Sequence, residues 1–393
     1  MVKMSLEIIV FIFSIIIAFT LVMRRINIAV AFGLALVIYL LPFLGRGIAV
    51  TILESFNRTL LDTILSLILA MFLADLYRST YIADRVVSSL ESLSPKTAAV
   101  SIPAIIGLLP MPAGAYISAT IINPLYRECN LNPSEKTFLN YWFRHIWVTI
   151  WPLYQSVILA SAILNMNFNR IIYYNWPIFI GSIISGLIIS RAILYKISNS
   201  CIKHRDRSFK ELIYLWPFII IVFLSIVAKL PLPVSLMITV SLFIAIHRPS
   251  LNTVKNGIRY SLEPTIIILI VESLIFSRVI NETGLSYQLA LYLSSVADIA
   301  VFAIPFSMVI TTGFEFTFVT IAFPSILPLL TSYRITLAFL GGYIGAMLSP
   351  IHACFVLSAK FFKSSLGEVY RYLIPTAILT VLIVVALLPM LHY

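Results

Sequence analysis

The chain has 393 residues, of which 60% are hydrophobic and only 11% are charged. Soluble domains carry roughly a quarter charged residues, so this composition excludes a soluble enzyme or binding domain and predicts a protein with several membrane spans. The net charge of +11 indicates basic loops that set topology and contact anionic membrane lipid. It does not call for a nucleic-acid partner.

Ten apolar segments are long enough to cross the ~30 Å hydrocarbon core of a bilayer. The first is expected to be retained, because Arg24 and Arg25 follow it where a cleaved signal peptide would carry small residues. Most of the 27 Lys and Arg then fall in alternate loops, which predicts that both termini lie outside the cell membrane. The predicted spans are 6–23, 27–44, 60–77, 137–164, 171–194, 212–228, 231–247, 262–280, 335–359 and 369–390.

Two further apolar segments, 98–124 and 300–326, match each other at a shift of 202 residues, which places Pro103 on Pro305. Interrupted apolar segments at matching places in two halves are typical of binding sites in secondary transporters. We therefore expect an all-α membrane protein with ten transmembrane helices and a re-entrant helical hairpin at each of these segments. Its five-span halves would be inverted repeats, 1–196 and 211–393, joined by a cationic cytoplasmic linker, 197–210.

Each hairpin is predicted to break near its middle. Pro110 and Pro112 lack a backbone N–H and Gly114 permits unusual φ values, so the first helix should stop between residues 109 and 114. The second should break at 311–317, which reads TTGFEFT. Unpaired backbone groups at these tips cannot face lipid, so the tips should meet at a cavity. Helix N-termini at such a cavity suit an anion, whereas helix C-termini suit a cation.

Small and hydroxyl-bearing residues at the two breaks are the first candidates for substrate or ion binding. A hydroxyl can serve an anion or a cation. The structural alternative is that a Ser or Thr within a span only bonds its own helix. These candidates are Pro110, Pro112, Gly114, Ser118, Thr311, Thr312, Gly313 and Thr317.

Polar residues in spans four and nine, directly after the hairpins, form a second group of candidates. Arg144 offers a guanidinium fork for a carboxylate or phosphate, with snorkelling to the interface as the structural alternative. His145 adjoins it, and Ser349 and His352 occupy the corresponding part of the second half. His352 could relay protons, bond substrate or satisfy a kinked backbone.

Two prolines align at a shift of 198 residues, Pro152 in span four and Pro350 in span nine. A proline inside a helix frees the carbonyl four residues earlier and bends the helix. We therefore expect a kink at each position, which either lines the cavity or is only structural.

Two acidic residues, Glu272 and Glu315, are predicted to lie at membrane depth. Acids at such depth are rare and usually functional, as proton relays, cation sites or partners of a buried arginine. Both are candidates for proton or ion coupling. For Glu272, an ion pair with Arg144 is the structural alternative.

Metal and cofactor signals are missing from the sequence. Cys129, Cys201 and Cys354 are scattered, with no Cys or His spacing typical of a metal site. No phosphate-binding loop for ATP is present, so transport would draw on a gradient or a partner chain. We expect no cofactor.

The segments Gly107–Gly114 (GLLPMPAG) and Leu348–His352 (LSPIH) resemble the domain-of-unknown-function 401 family of ten-span membrane proteins. That family is grouped with the ion-transporter superfamily of citrate and dicarboxylate transporters and arsenite permeases. The resemblance implies a homodimeric secondary transporter with an elevator-like movement of the hairpin domain. It places Pro110, Pro112, Gly114, Ser118, Ser349, Pro350 and His352 in the site. Glu315 departs from the pattern, because a neutral residue is usual at its position.

The favoured function is secondary transport of a small anion, a carboxylate or oxyanion, coupled to sodium or protons. Two carboxylates and one intramembrane arginine also suit proton-coupled transport of a cation or neutral solute on the same fold. An intramembrane enzyme, with Ser118 and His145 or Glu272 and Glu315 as the reacting pair, ranks lower because no catalytic motif accompanies either pair.

Overall fold

The computed structural model describes residues 5–24, 26–43, 45, 47–91, 94–109, 114–197 and 210–391. Pro110, Pro112 and most of the predicted linker lie outside the described residues. The protein is all-helical, as predicted, with 84% helix and no strand in the described ranges.

The first half contains helices α1–α10. Several begin at a residue that satisfies the free N–H groups of the first turn. At α8, for example, the Asn132 side chain accepts from the Glu135 N–H at 2.9 Å while Glu135 Oε2 accepts from the Asn132 N–H at 3.0 Å. The helices are α1 (Leu6–Met23), α2 (Ile28–Leu40), α3 (Ile48–Ser55), α4 (Arg58–Ser79), α5 (Ile82–Glu91), α6 (Pro95–Gly107), α7 (Gly114–Glu128), α8 (Pro133–Arg144), α9 (Gln155–Ile163) and α10 (Phe168–Lys196).

The second half contains helices α11–α20. A 3₁₀ segment, Lys210–Leu215, leads into α11, which continues as a π-helical turn at Phe223–Val227, and another π-helical turn, Phe318–Ala322, precedes α17. The helices are α11 (Trp216–Val222), α12 (Leu232–His247), α13 (Leu251–Ser261), α14 (Pro264–Glu282), α15 (Leu285–Leu293), α16 (Ala297–Thr312), α17 (Phe323–Ile326), α18 (Tyr333–Leu348), α19 (Ala353–Phe362) and α20 (Leu366–Leu387).

Seven helical stretches in the described residues are long and apolar enough to cross a membrane. Shorter apolar stretches occur at Ile28–Phe43, Leu232–His247 and Phe318–Leu329. Large apolar side chains are exposed along the outside, such as Phe13 at 55% and Leu382 at 61%. The chain is therefore a membrane protein. The seven stretches are Leu6–Met23, Arg58–Ser79, Phe168–Lys196, Lys210–Val227, Leu285–Thr312, Tyr333–Phe362 and Leu366–Met390.

The two halves present the same order of elements and pack reciprocally. In each, two helices are followed by a short helix, a longer one, another short one, a pair around a break, an interrupted pair and a final long helix. Helix α4 packs against α12 and α13, while α14 packs against α2 and α3, and α10 packs against α20. The two halves therefore pack against each other through these helix pairs.

Both hairpin segments are interrupted where helix-breaking residues occur. Helix α6 ends at Gly107 and the next described helix begins at Gly114. Helix α16 ends at Thr312, where Gly313 adopts a left-handed conformation with φ of 71°. A Cβ at position 313 would lie 2.9 Å from the backbone carbonyl oxygen of Ile351, so this turn requires glycine.

Spans four and nine are interrupted rather than only kinked, which differs from the sequence expectation. Helix α8 ends at Arg144 and α9 begins at Gln155, while α18 ends at Leu348 and α19 begins at Ala353. Pro152 and Pro350 lie within these interruptions, where neither could donate the N–H that a continuous helix needs.

The interruption between α8 and α9 is held open by hydrogen bonds to the end of α6. Three aromatic side chains of the interruption donate to carbonyl oxygens that have no partner within α6. They are Trp147 to Ala104 (2.8 Å), Trp151 to Leu108 (3.0 Å) and Tyr154 to Gly107 (2.8 Å). The first arm of the first hairpin is therefore fastened to the interruption.

Helix α16 is fastened to α18 by close backbone packing. A Cβ at Gly341 would lie 2.1 Å from the carbonyl oxygen of Phe302, and one at Gly345 would lie 2.7 Å from that of Phe306. The Ser349 hydroxyl also donates to the Ile310 carbonyl at 2.9 Å. These small residues let α16 and α18 approach so closely that their backbones are in contact.

Candidate functional site

A cavity of about 290 Å³ lies where both interruptions meet the break after α16. Backbone that leaves regular helix inside a membrane protein must line a cavity or be buried in protein, and this cavity receives three such segments. Its lining residues are Ile28, Arg144, His145, Tyr154, Gln155, Thr265, Ile266, Leu269, Gly313, Phe314, Glu315, Phe316, His352, Ala353 and Cys354.

Two helix N-termini face this cavity, those of α9 at Gln155 and of α19 at Ala353. The described residues supply no side-chain cap to either end. The Val157 N–H donates to the Tyr154 carbonyl at 3.0 Å. The other first-turn N–H groups of these helices remain available as donors, and each end carries about half a positive charge. Paired helix N-termini form a ready anion site.

Arg144 is the last residue of α8 and is only 3% exposed. Its Nη1 lies 3.4 Å from His145 Nε2 and 3.7 Å from Cys354 Sγ. Its Nε has no partner, and no carboxylate among the described residues lies within 4 Å of it. The guanidinium thus points into the protein rather than to the membrane interface. A buried cation with spare donors favours an anionic ligand.

The His145 ring sits between the arginine and the backbone of its own helix. Its Nδ1 lies 2.6 Å from the Tyr141 carbonyl oxygen, to which it donates. The neutral tautomer set by that bond leaves a lone pair on Nε2, which faces Arg144. The His352 ring follows at 5.3 Å between centroids. His145 therefore orients the guanidinium.

The side chains of His145, His352 and Cys354 also form a cluster in which one ligand atom of each lies within 4.8 Å of the others. Such a cluster could hold a soft metal ion. However, Arg144 contacts two of its three members. A divalent ion about 4 Å from a guanidinium would be repelled by about 8 kcal/mol at an effective dielectric of ~20. The cavity therefore suits an anion better than a metal ion.

The tip after α16 contributes Glu315 to the cavity. The hydroxyls of its threonines instead form hydrogen bonds within α16 and the tip. Thr312 Oγ1 and Thr317 Oγ1 lie 3.0 Å apart, and Thr317 also donates to the Phe314 carbonyl at 2.7 Å. Thr311 is exposed and donates to Ser307 in its own helix. Glu315 is half-buried, and its Oε2 has no partner in the described part of the chain.

The family described as protein of unknown function (DUF401) matches residues 5–391. The chain belongs to this family. The family resemblance carried by GLLPMPAG and LSPIH is thereby confirmed. A search among curated proteins found no match.

Several predicted residues of this DUF401 chain lie away from the cavity lining. Ser118 donates to Asn140 Oδ1 at 2.7 Å, and Asn140 in turn donates to the Ala115 carbonyl and to Ser358. Gly114 is buried at the start of α7. Ser118 therefore joins the first hairpin to α8 and α19 and does not face the cavity.

Glu272 is half-buried on α14 and packs against α2. A Cβ at Gly33 would lie 2.4 Å from Glu272 Oε1, so the carboxylate occupies the space that this glycine leaves. Its Oε2 has no partner in the described ranges. The predicted alternative of an ion pair between Glu272 and Arg144 is absent from the described residues.

Sequence reasoning missed Tyr154, Gln155, Thr265 and Cys354 as cavity residues of the DUF401 chain. Two of them had an available signal, because the shift that aligns Pro152 with Pro350 also places Tyr154 on His352 and Gln155 on Ala353. Cys354 follows in the same turn. Thr265 had a different signal, because the shift of 202 residues that aligns the two hairpin segments also places Thr63 on Thr265.

A second cavity, of about 300 Å³, lies beside the start of α4 and the end of α9, and its lining includes Asp62, Asn165 and Ile158. A void of about 10 Å³ lined by Leu67, Ile158 and Leu269, among others, comes between it and the candidate site. Ile158 borders both the second cavity and the void, and Leu269 borders both the void and the site. Leu67, Ile158 and Leu269 therefore form a narrow apolar barrier between the second cavity and the candidate site.

The rate at which charged reagents modify Cys354 reports the electrostatic potential of the cavity. In a Cys129→Ser/Cys201→Ser variant, we expect an anionic methanethiosulfonate to modify Cys354 about tenfold faster, or more, than a cationic one of similar size, because Arg144 and two helix N-termini surround the thiol. Labelling rates followed by mass spectrometry would test this. Cys354→Ser in the same background is the control for background labelling. Equal rates, or a faster cationic reagent, would contradict the anion-attracting character.

Proposed function

We propose that this protein is a secondary active transporter of a small anion, a carboxylate or oxyanion, coupled to sodium or protons. The observation that carries the proposal is the convergence of Arg144 and the uncapped N-termini of α9 and α19 on one cavity. Half-helix N-termini directed at an anionic group are typical of secondary transporters.

The proposed membrane arrangement has ten spans and two re-entrant hairpins. Reciprocal packing of α4 and α14 supports two inverted repeats, 1–196 and 211–393. Both termini would lie outside the cell membrane, in a homodimer surrounded by lipid, and the hairpins would move in an elevator-like manner. The ten spans would be α1, α2, α4, α8 with α9, α10, α11, α12, α14, α18 with α19, and α20.

The apolar barrier of Leu67, Ile158 and Leu269 supports transport rather than simple binding. It lies between the candidate site and the second cavity, whose lining includes Asp62 and Asn165, as expected of a route that opens only in another state. Glu315 is the first candidate to bind a coupling ion, because its carboxylate lines the cavity. Glu272, which packs against α2, is the second candidate.

An intramembrane enzyme is less well supported. Of the pair Ser118 and His145, only His145 lines the cavity, since the Ser118 hydroxyl is engaged by Asn140. Of the pair Glu272 and Glu315, only Glu315 lines it. Neither pair faces a common space in which a substrate could react.

A second candidate function is proton-coupled transport of a cation or a neutral solute. Glu315 favours it, because this carboxylate lines the cavity and keeps one oxygen without a partner in the described residues. Arg144 and the two N-termini oppose it for a simple cation, which they would repel.

A ligand panel tests the proposed function. The purified protein is heated with small carboxylates and oxyanions, with and without sodium and at two pH values. A ligand at 100 times its Kd should stabilise the folded state by about 2.7 kcal/mol, which raises the melting temperature. Active anions are then tested for uptake into proteoliposomes, where we expect accumulation that stops when the sodium or proton gradient is dissipated. Stabilisation by cations or neutral solutes alone would contradict the anion proposal and favour the second candidate.

A further inference from the structure

The cavity carries opposite charges that do not pair with each other. Arg144 and Glu315 both line it, yet they form no ion pair within 4 Å in the described part of the chain. Each keeps a buried polar atom without a partner, Arg144 Nε and Glu315 Oε2. Unpaired charges facing one space are costly unless a ligand satisfies both.

Helix ends of both signs line the cavity. The N-terminus of α19 adjoins Arg144, since Arg144 Nη1 reaches Cys354 in the first turn of α19, and the N-terminus of α9 lines the same cavity. Glu315 instead follows the C-terminus of α16, which ends at Thr312. A helix C-terminus carries partial negative charge and favours a cation. Positive and negative groups, from both side chains and helix ends, therefore line the same cavity.

The remaining wall is largely apolar. Ile266, Leu269, Phe314 and Phe316 line the cavity together with few polar side chains. Apolar walls with a small number of placed polar groups are typical of sites for small organic ligands. A cavity of about 290 Å³ has room for a ligand with a short apolar body.

A ligand group that meets the ionised Glu315 carboxylate is expected to be cationic, because an anion held at Arg144 would otherwise face a second negative charge. A sodium ion needs several oxygen ligands. The hydroxyls of Thr312 and Thr317, which donate to the carbonyls of Met308 and Phe314, are not among the residues that line the cavity. An ammonium group, by contrast, only needs acceptors for its N–H bonds, and Glu315 Oε2 is free to accept.

We propose that the substrate is a zwitterion, an α-amino acid with an apolar side chain. Its carboxylate binds Arg144 and the N-termini of α9 and α19, its ammonium binds Glu315, and its side chain packs on Leu269 and Phe316. This inference rests on the proposed function, anion transport, and identifies the anionic group as the carboxylate of the substrate. It assigns Glu315 to the substrate and leaves Glu272 for the coupling ion.

Matched ligands test the proposal on the wild-type protein. Alanine, valine, leucine, methionine and phenylalanine are each compared by thermal stabilisation with the carboxylate that lacks the amine and the amine that lacks the carboxylate, such as 4-methylpentanoate and 3-methylbutylamine for leucine. We expect at least one amino acid to bind about 100-fold more tightly than both of its partial analogues, because each analogue leaves either Arg144 or Glu315 unpaired.

A variant then assigns the ammonium contact. Glu315→Gln should weaken the best amino acid about tenfold or more while 4-methylpentanoate binds as well as before or better, since the repelling carboxylate is gone. The wild-type comparison remains decisive if this variant does not fold. An amine-free carboxylate or an oxyanion that binds as tightly as any of the five amino acids overturns the zwitterion and leaves the proposed anion transport standing. If neither amino acids nor anions bind, both proposals fail.

Discussion

Arg144→Ala should weaken binding of the transported anion by about 100-fold or more, because truncating one partner of a buried charge pair typically costs about 2–5 kcal/mol. The guanidinium is 3% exposed and has donors to spare in the cavity. Without this guanidinium, the bound anion would face only the two helix N-termini as positive groups. The measurement is the ligand concentration that gives half-maximal thermal stabilisation, followed by uptake into proteoliposomes.

Two further variants control for charge and for general damage. Arg144→Lys keeps the charge but loses the planar fork, so it should fall between wild type and Arg144→Ala. Arg334→Ala removes an arginine whose Nε lies 2.8 Å from Asp298 in a solvent-accessible pair. Such a pair contributes about 0–1 kcal/mol, so binding should not change. Normal anion affinity in Arg144→Ala would show that the guanidinium is structural.

Gly107→Ala should destabilise the protein by about 3 kcal/mol or more, at or beyond the upper end of overpacking in a tight core. The added Cβ would lie 2.2 Å from the carbonyl oxygen of Arg144, which is backbone and cannot rotate away. Helix α6 would have to move away from α8 at Arg144, the residue whose guanidinium lines the cavity. We expect a lower apparent melting temperature in detergent and weaker ligand binding in whatever fraction folds.

The matched substitution is Gly367→Ala near the start of α20. A Cβ there would meet only the Ser365 hydroxyl, at 3.6 Å. Replacing glycine by alanine inside a helix stabilises it by about 0.5–1 kcal/mol when there is space. Gly107→Ala with the same melting temperature as Gly367→Ala would show that α6 and α8 do not approach as closely as described.

The class of the protein and the places where its hairpin segments break could be predicted from local features. An apolar composition with few charges is sufficient for an all-helical membrane protein. The stop of α16 at Thr312 follows from Gly313, which tolerates a positive φ, and α6 stops at Gly107, close to the predicted stretch 109–114. These signals are local, so no knowledge of packing is needed to use them.

The interruptions in spans four and nine could not be predicted in their full extent. Pro152 alone predicts one lost hydrogen bond, whereas helix is absent from His145 to Tyr154. That stretch is stabilised by bonds from Trp147, Trp151 and Tyr154 to α6, whose carbonyls lie more than 40 residues earlier in the chain. Only the tertiary structure brings those donors and acceptors together.

The partners of the charged residues depend on tertiary contacts in the same way. Arg144 meets Cys354, 210 residues away in the chain, and Glu272 fills the space beside Gly33. From the sequence, Arg144 could equally snorkel or pair with Glu272, because both alternatives agree with its position near the start of a span. The distinction required the orientation of α8 relative to α19.

The fastening of the hairpin arms to the interrupted spans limits how the protein can move. Separating α6 from the interruption after α8 would leave the carbonyls of Ala104, Gly107 and Leu108 without donors. Separating α16 from α18 would open a void along Gly341 and Gly345. Both changes are unfavourable where no water can compensate. In the proposed elevator-like movement, a bound ligand would therefore be carried inside one preassembled block whose internal contacts persist, and the sliding surface would lie at the edge of that block.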